Sequence, residues 1–170
     1  MKILIVGLGC SGKSTLAREI GKSTGLPIYH LDRLLWKSNW VRAERDEFLK
    51  EQTRILASSK WVYEGFNPKS LPEQISYADT IVYLDVSHLR LTNNWLKRLW
   101  KYRKFSRPDM ADGNIEKFNW SYLRWLWKYD NKQMIEQIRR ISGDKTVVVI
   151  SNKNDRQKYL RQISTLQNKA

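Results

Sequence analysis

Short apolar segments rich in β-branched residues recur along the chain, and each is followed by a stretch of helical length. A strand buried inside a parallel sheet is typically a continuous apolar run of this kind, because both of its faces are covered. The pattern therefore predicts an α/β protein with a five-stranded parallel sheet flanked by helices. The predicted strands are Lys2–Val6, Pro27–His30, Trp61–Glu64, Thr80–Val86 and Thr146–Ile150.

Four longer segments between these strands have helical patterns. The first begins at Gly12 and ends near Thr24, where Gly25 is a typical C-terminal stop. The other three cover about 46–58, 87–105 and 117–141. A chain of 170 residues, 41% of them hydrophobic, is long enough for one good-sized core. We therefore expect a single domain over residues 1–170.

The chain is strongly basic, with 31 lysine and arginine residues against 17 aspartate and glutamate residues and a formal net charge of +14. An excess of this size favours an anionic partner, for which nucleic acids, nucleotides and acidic membranes all qualify, over lysines that serve only solubility. The sequence has no apolar run of the roughly 18 residues that a membrane span needs, and no small-residue cleavage site follows the N-terminus. Cys10 is the only cysteine. These features predict a cytoplasmic protein with no membrane partner and no internal disulfide.

A phosphate-binding motif lies between the first predicted strand and the first predicted helix. Gly7 to Ser14 reads Gly-Leu-Gly-Cys-Ser-Gly-Lys-Ser, which is the P-loop pattern in its required context. The glycines let backbone N–H groups turn inward toward phosphates, and the helix N-terminus adds its positive dipole end. We expect Lys13 to reach the β- and γ-phosphates of ATP and the Ser14 hydroxyl to bind Mg²⁺. The predicted nucleotide-binding residues are Gly7, Gly9, Cys10, Ser11, Gly12, Lys13, Ser14 and Thr15.

A P-loop protein needs a further carboxylate at the end of a neighbouring strand to hold the magnesium ion or its water. Three acids end or follow predicted strands: Asp32, Glu64 and Asp85. Each is also in a position where a carboxylate often caps a helix. Which acid serves the metal depends on strand order, which the spacing of the residues does not determine.

The segment from Arg90 to Arg107 contains seven basic residues and no acid. Phosphoryl transfer depends on positive groups that stabilise the charge on the transferring oxygens. One interpretation is a mobile lid over about 98–114 that brings Arg98, Arg103 or Arg107 to the phosphates. The alternative is a solvated basic helix. The seven residues are Arg90, Lys97, Arg98, Lys101, Arg103, Lys104 and Arg107.

The chain resembles the DNA topology modulation proteins related to FlaR, a family of adenylate-kinase-like P-loop proteins. The resemblance covers nearly the whole chain. It rests on the P-loop, on 26–32 followed by Trp36 and Trp40, on 78–80, and on 101–103 with 107–110. It implies the three-layer P-loop NTPase fold of nucleotide kinases, with an acceptor-side region over about 31–60 and an arginine-bearing lid.

The resemblance also implies roles for two of the three acids. It favours Glu64 as the carboxylate on the magnesium side and places Asp32 on the acceptor side, where a carboxylate can orient or deprotonate a hydroxyl. Two positions depart from the family pattern. The family usually has Asp-Gly-Asn where this chain has Glu64-Gly65-Phe66, and it usually has an arginine where this chain has Asn94.

These features together predict a kinase that moves the γ-phosphoryl group of ATP, with Mg²⁺, to an unidentified small-molecule acceptor. Two alternatives stay open: a degenerate kinase that binds ATP without turnover, and a nucleic-acid-binding protein with a nucleotide-dependent P-loop switch. Aromatic residues among the basic ones support the second, because they can stack on single-stranded bases. They are Trp95, Trp100, Tyr102 and Phe105.

Two further patterns have more than one interpretation. Asn152-Lys153-Asn154-Asp155 resembles the guanine-reading motif of GTPases, but Asn152 and Asp155 are also ordinary helix caps. Aromatic residues recur at helical spacing in the last predicted long helix and favour core packing or a dimer face over base stacking. They are Phe118, Tyr122, Trp125 and Tyr129.

Overall fold

The computed structural model of the chain describes residues 1–167, which form five strands and eight α-helices. The strands are β1 (Lys2–Val6), β2 (Ile28–His30), β3 (Trp61–Glu64), β4 (Thr80–Leu84) and β5 (Thr146–Ile150). The helices are α1 (Lys13–Thr24), α2 (Leu31–Leu35), α3 (Arg45–Ala57), α4 (Leu71–Tyr77), α5 (His88–Lys101), α6 (Trp120–Lys128), α7 (Asn131–Ser142) and α8 (Lys153–Gln167). A single 3-10 turn covers Ser38–Trp40.

All five strands are parallel and form one sheet in the order β2-β3-β1-β4-β5, as the apolar pattern predicts. The chain moves outward from β1 to β2, returns through β3, and then crosses to the other side of β1 to form β4. Such a change of direction opens a crevice at the carboxyl ends of the central strands. The P-loop follows β1, and Glu64 at the end of β3 pairs in register with Ile5 of β1. The strand order therefore brings Glu64 beside the P-loop.

Alternate residues of the central strands pack into two separate hydrophobic layers. Ile3 and Ile5 of β1 face Leu16 and Ile20 of α1, together with Tyr159 of α8. The residues between them face the other side, where α3, α4, α6 and α7 cover the sheet. The two layers hold the strand ends, and thus the loops that follow them, in fixed positions. No helix within residues 1–167 is both long and apolar enough to cross a membrane.

The prediction of one helix over 117–141 was wrong, because the structure contains two helices there. Tyr129 has an extended backbone (φ −91°, ψ 130°) that ends α6. The carboxylate of Asp130 then accepts hydrogen bonds from the backbone N–H groups of Lys132 and Gln133, which starts α7. The prediction over 87–105 also extended four residues too far, since α5 ends at Lys101. The sequence did not predict the short helices α2 and α4, and for α8 it offered only possible capping residues at Asn152 and Asp155.

The segment from 102 to 119 has no regular secondary structure but is anchored to the rest of the protein. Met110 and Asn114 within it are fully buried. The Asn114 side chain donates to the carbonyl of Lys37 (3.0 Å) and accepts from the backbone N–H of Trp40. The contacts join the predicted lid to the predicted acceptor-side region. In this conformation the segment 102–119 covers the crevice at the carboxyl ends of the strands.

Candidate active site

The loop between β1 and α1 has the geometry of a phosphate-binding loop. Gly12 adopts the left-handed conformation (φ 95°) immediately before α1 begins at Lys13. Because the first turn of a helix has unpaired N–H groups, the loop presents backbone donors at a positive helix end. The ammonium group of Lys13 donates to the carbonyl of Leu8 at 3.0 Å. Lys13 is thus folded across the same loop whose amides would bind the phosphates.

Two side chains from the far half of the chain hold the turn of this loop. Cys10 has a positive φ of 64°, which is unfavourable for a residue with a Cβ. The Asn94 amide of α5 donates to the carbonyl of Cys10 at 3.0 Å, and the Tyr122 hydroxyl of α6 lies 3.6 Å from its sulfur. A Cβ added at Gly9 would overlap the Tyr122 hydroxyl. Asn94, noted above as a departure from the family pattern, therefore supports the P-loop in this chain.

Two carboxylates converge on the Ser14 hydroxyl. Glu64 at the end of β3 and Asp109 of the 102–119 segment each lie 2.9 Å from the Ser14 oxygen. The imidazole of His30 places its Nδ1 atom 2.7 Å from the Glu64 carboxylate. Asp85, the third acid considered from sequence, contacts Asn131 at 2.9 Å instead. The structure thus brings Glu64 to Ser14 and keeps Asp85 away from it.

The carboxyls of Asp109 and Asp32 have pKa values displaced in opposite directions. Burial opposes ionisation of Asp109, but Arg107 and the hydrogen bond from Ser14 outweigh it and lower the pKa of Asp109 below its ordinary value. For Asp32, burial and then repulsion from Glu64 raise the pKa, against the attraction of Arg107. Although 47% of the Asp32 side-chain surface is accessible, the residue lines a recessed cavity, so that surface is not fully hydrated. Asp32 is therefore the more basic of the two carboxylates.

Arg98 and Arg107, two of the three predicted lid arginines, meet at a buried acid. The Nε atoms of Arg98 and Arg107 lie 3.2 and 2.9 Å from the same oxygen of Glu116. Arg107 also contacts Asp109 at 3.1 Å and Asp32 at 3.6 Å. These arginines lie at the site, but each is paired with carboxylates in this conformation.

The third predicted lid arginine, Arg103, is outside the site. Its guanidinium donates to the carbonyl of Trp100 at 3.2 Å and lies 4.9 Å from the centroid of that indole ring. Both residues are exposed. The structure therefore assigns Arg103 to the basic surface of α5 and its following turn.

The residues around Ser14 fit a magnesium ion that shares its coordination with phosphates. Within residues 1–167, no group of three or more His, Cys, Asp or Glu side chains could hold a metal by itself. Mg²⁺ does not require one, because it keeps several waters and binds through one or two carboxylates plus substrate phosphates. Ser14, Glu64 and Asp109 supply a hydroxyl and two carboxylates at one point beside the P-loop.

A cavity of about 670 Å³ extends from the P-loop into the space below the 102–119 segment. Lys13 and Ser14 line it at one end, and Asp32, Arg98 and Arg107 also contact it. Its volume is within the range of small-molecule sites. Aromatic side chains form most of the remaining wall: Trp36, Trp40, Phe66, Trp95, Phe118, Tyr122 and Trp125.

The guanine-like motif after β5 caps a helix. The Asp155 carboxylate accepts from the backbone N–H groups of Ser151 (3.0 Å) and Asn152 (3.2 Å). The Asn152 side chain accepts in turn from Asn154 and Asp155. These bonds favour the helix-cap interpretation over base recognition.

Comparison with known proteins gives the fold but no sequence relative. No protein-family model and no curated protein sequence matches the chain. The solved structure of deoxyadenosine kinase from M. mycoides, with the products dCMP and dCDP, is similar over 99% of each chain, at 18% identity and a TM-score of 0.54. Shikimate kinase from Acinetobacter baumannii, in complex with shikimate, is similar over 96% of this chain and 90% of its own, at 16% identity and a TM-score of 0.55. A gluconokinase from Sinorhizobium meliloti 1021 is similar over 99% and 94%, at 17% identity and a TM-score of 0.54.

The chain has the fold of the P-loop kinases. The fold predicted from the P-loop, the parallel strands and the family resemblance is thereby confirmed. The narrower resemblance to the topology modulation proteins stays a prediction. In this chain the P-loop and the cavity meet at the crevice formed by the strand ends.

Sequence reasoning missed two site residues of this P-loop kinase fold, Asp109 and Glu116. Both lie in the irregular 102–119 segment, where no helical or strand period marks a residue as facing a site. Asp109 was within a stretch that carried the family resemblance, but no role followed from that. The sequence does contain one signal for Glu116, because it is the first acid after Asp112 and lies close to a run of basic residues. Buried arginines need such a partner.

The contact between Gly9 and Tyr122 yields a test of the closed arrangement. We expect Gly9→Ala to lower the free energy of unfolding by about 1–3 kcal/mol, since its methyl group overlaps the Tyr122 hydroxyl. The combination of Gly9→Ala with Tyr122→Leu should cost less than the sum of the two single changes. Urea unfolding of the four proteins measures this coupling. Strictly additive effects would mean that Tyr122 does not pack on the P-loop in solution.

Proposed function

We propose that the protein is an ATP-dependent phosphotransferase that moves the γ-phosphoryl group to a hydroxyl of a small acceptor bound in the cavity. One observation carries this proposal: the P-loop residues Lys13 and Ser14 and the carboxylate of Asp32 line the same cavity. Phosphoryl transfer needs a nucleotide site and an acceptor site that meet, with charge provided where they meet. The similarity of the fold to kinases of deoxyadenosine, shikimate and gluconate supports the same proposal.

Each site residue has a proposed task in the nucleotide half of the site. The backbone from Gly7 to Thr15 cradles the phosphates, and Lys13 exchanges its bond to Leu8 for one to phosphate oxygens. Ser14, Glu64 and Asp109 hold Mg²⁺, which when bound neutralises phosphate charge. Ser14, Glu64 and Asp109 already lie together in the described structure, which would limit reorganisation during the reaction.

In the acceptor half, Asp32 takes the proton of the attacking hydroxyl. Its raised pKa makes it a stronger base than an ordinary aspartate. Arg98 and Arg107 stabilise charge on the transferring group. A contribution from Arg103 requires movement of the 102–119 segment toward the nucleotide and stays a prediction, as does the role of that segment as a lid.

The first test of this proposal is Lys13→Ala. We expect it to abolish ATP binding or turnover and to leave the fold intact, because the Lys13 ammonium lines the cavity and its hydrogen bond in the described structure is to the loop carbonyl of Leu8. Calorimetric titration with Mg·ATP and an assay of ADP release measure the two effects, and circular dichroism checks the fold. Lys104→Ala, which changes an exposed lysine, is the charge-matched control. Equal ATP affinity in Lys13→Ala and in the wild type would contradict the proposal.

The raised pKa of Asp32 predicts the pH dependence of turnover. Since the base must be ionised, kcat/KM should rise as the pH passes upward through that raised pKa. Arg107 lowers the pKa of Asp32. Arg107→Gln should therefore shift the acid limb of the profile to higher pH, whereas Lys104→Gln should not. Asp32→Asn should reduce kcat by about 10²- to 10⁴-fold. An acid limb that is the same in the wild type and in Arg107→Gln would exclude Asp32 as the base.

One observation favours a second function, binding of single-stranded nucleic acid. Trp100 and Phe105 are exposed beside Lys101, Arg103 and Lys104. Such aromatic and basic surfaces can stack on bases. Trp95, in contrast, is buried. Single-stranded DNA that binds the wild type at moderate salt, and binds more weakly after substitution of Trp100, would support this function.

The third alternative, ATP binding without turnover, is the outcome if Mg·ATP binds and no acceptor yields ADP. The dimer considered from sequence also stays a prediction.

A further inference from the structure

Aromatic side chains make the cavity suited to a flat ring. Trp125 stacks on Tyr122 with ring centroids 5.8 Å apart at 27°, and it lies 6.4 Å from Phe66. Trp36 and Trp40 meet edge to face at 5.7 Å. All five line the cavity. Aromatic walls favour stacking and edge contacts with a planar ligand over contact with an aliphatic polyol.

Both arginines that line the cavity are already paired with carboxylates, and Lys13, which donates to the Leu8 carbonyl, is assigned to the nucleotide in the proposal above. Arg98 and Arg107 share the buried Glu116, whose side chain is 4% exposed. Arg107 contacts Asp109 and Asp32 as well. A phosphate group on the acceptor would have to displace Glu116 from both arginines and leave it buried without a partner. Lys117 also lines the cavity, but it is exposed and so screened by solvent.

Asp32 adds a requirement for a hydroxyl. It is a carboxylate at the cavity surface, so in its ionised form it repels an anionic acceptor and can accept a proton from a neutral hydroxyl. The walls and the charges therefore select the same kind of molecule. It is flat, uncharged and hydroxyl-bearing.

We propose that the acceptor is an uncharged aromatic alcohol, such as a nucleoside or a small hydroxymethyl heteroaromatic compound, and not a compound that already carries a phosphate. The inference rests on the phosphotransferase function proposed above. In the reaction the acceptor oxygen forms a bond to the γ-phosphorus, and the bond from that phosphorus to the β,γ-bridging oxygen breaks. The electron pair of the broken bond stays on ADP, and the hydroxyl proton passes to Asp32.

The test compares acceptors of matched size. The panel contains adenosine, cytidine and thymidine, their 5′-monophosphates, 3-pyridinemethanol, and the non-aromatic alcohols glycerol and gluconate. Binding is measured by calorimetry with a nonhydrolysable ATP analogue and Mg²⁺ present, and turnover by ADP release with ATP. We expect an aromatic alcohol to bind at least about tenfold more tightly than its phosphorylated or non-aromatic counterpart. Comparison of the nucleosides with 3-pyridinemethanol shows whether the preferred acceptor is a nucleoside or a small hydroxymethyl heteroaromatic compound.

Two variants separate ring recognition from charge recognition. Trp125→Leu should weaken binding of the preferred aromatic alcohol at least about fivefold. Trp100→Leu, at an exposed indole outside the cavity, should not. Glu116→Gln should narrow or reverse the preference for a nucleoside over its monophosphate, because it leaves Arg98 and Arg107 with unpaired charge. Thermal unfolding confirms that each variant is folded. The wild-type panel decides the proposal if one variant does not fold.

The outcomes distinguish this inference from the proposed function. Turnover with a monophosphate or a polyol as the preferred acceptor would overturn the inference and leave the phosphotransferase intact. If Mg·ATP does not bind, the phosphotransferase proposal fails, whereas titration of the free protein with the same alcohols still tests the cavity. Failure of every aromatic alcohol to bind saturably in either titration would overturn the inference. Equal binding of nucleosides and monophosphates would also overturn it.

Discussion

The arrangement of the site depends on the Ser14 hydroxyl, because more carboxylates surround it than it can serve as a hydrogen-bond donor. The Ser14 hydroxyl lies 2.9 Å from Glu64 and 2.9 Å from Asp109, yet it has only one hydrogen to donate. The carboxylate that lacks this hydrogen needs another donor or a cation, and His30 Nδ1, 2.7 Å from Glu64, is such a partner on the Glu64 side. Arg107 and, at 4.0 Å, Arg18 meet part of this need on the Asp109 side. The arrangement ties the start of α1, the end of β3 and the 102–119 segment to a single point.

The same need for charge balance explains how the 102–119 segment packs. Arg98 and Arg107 could not stay buried without Glu116, and Glu116 could not stay buried without them. Their mutual pairing folds the segment over the P-loop, where Tyr122 then contacts Gly9 and Cys10. In the described structure, a network of buried ion pairs thus holds the segment over the P-loop.

Local patterns predicted the parts of the fold that depend on local chemistry. The bounds predicted for the strands Trp61–Glu64 and Thr146–Ile150 match the structure, because a continuous apolar run is recognisable as a buried strand without knowledge of its neighbours in the sheet. The P-loop was evident from its glycines and its context. The choice of Glu64 over Asp85 required strand order, which only the family resemblance supplied. Asp109 and Glu116 reach the site through contacts between residues distant in sequence, which local patterns do not show. The prediction of one helix through Tyr129 failed because Asp130, which caps the second helix, lies within a continuous helical pattern of apolar residues.

The most direct test of the account measures metal binding at Ser14. Electron paramagnetic resonance can follow the binding of Mn²⁺, as a substitute for Mg²⁺, in the presence of a nonhydrolysable ATP analogue. The account predicts a single Mn²⁺ site in the wild type, weakened about tenfold or more in both Glu64→Gln and Asp109→Asn. Asp144→Asn, at an exposed carboxylate between α7 and β5, should match the wild type. Wild-type Mn²⁺ affinity in Glu64→Gln and Asp109→Asn, or no Mn²⁺ site in the wild-type nucleotide complex, would contradict the account.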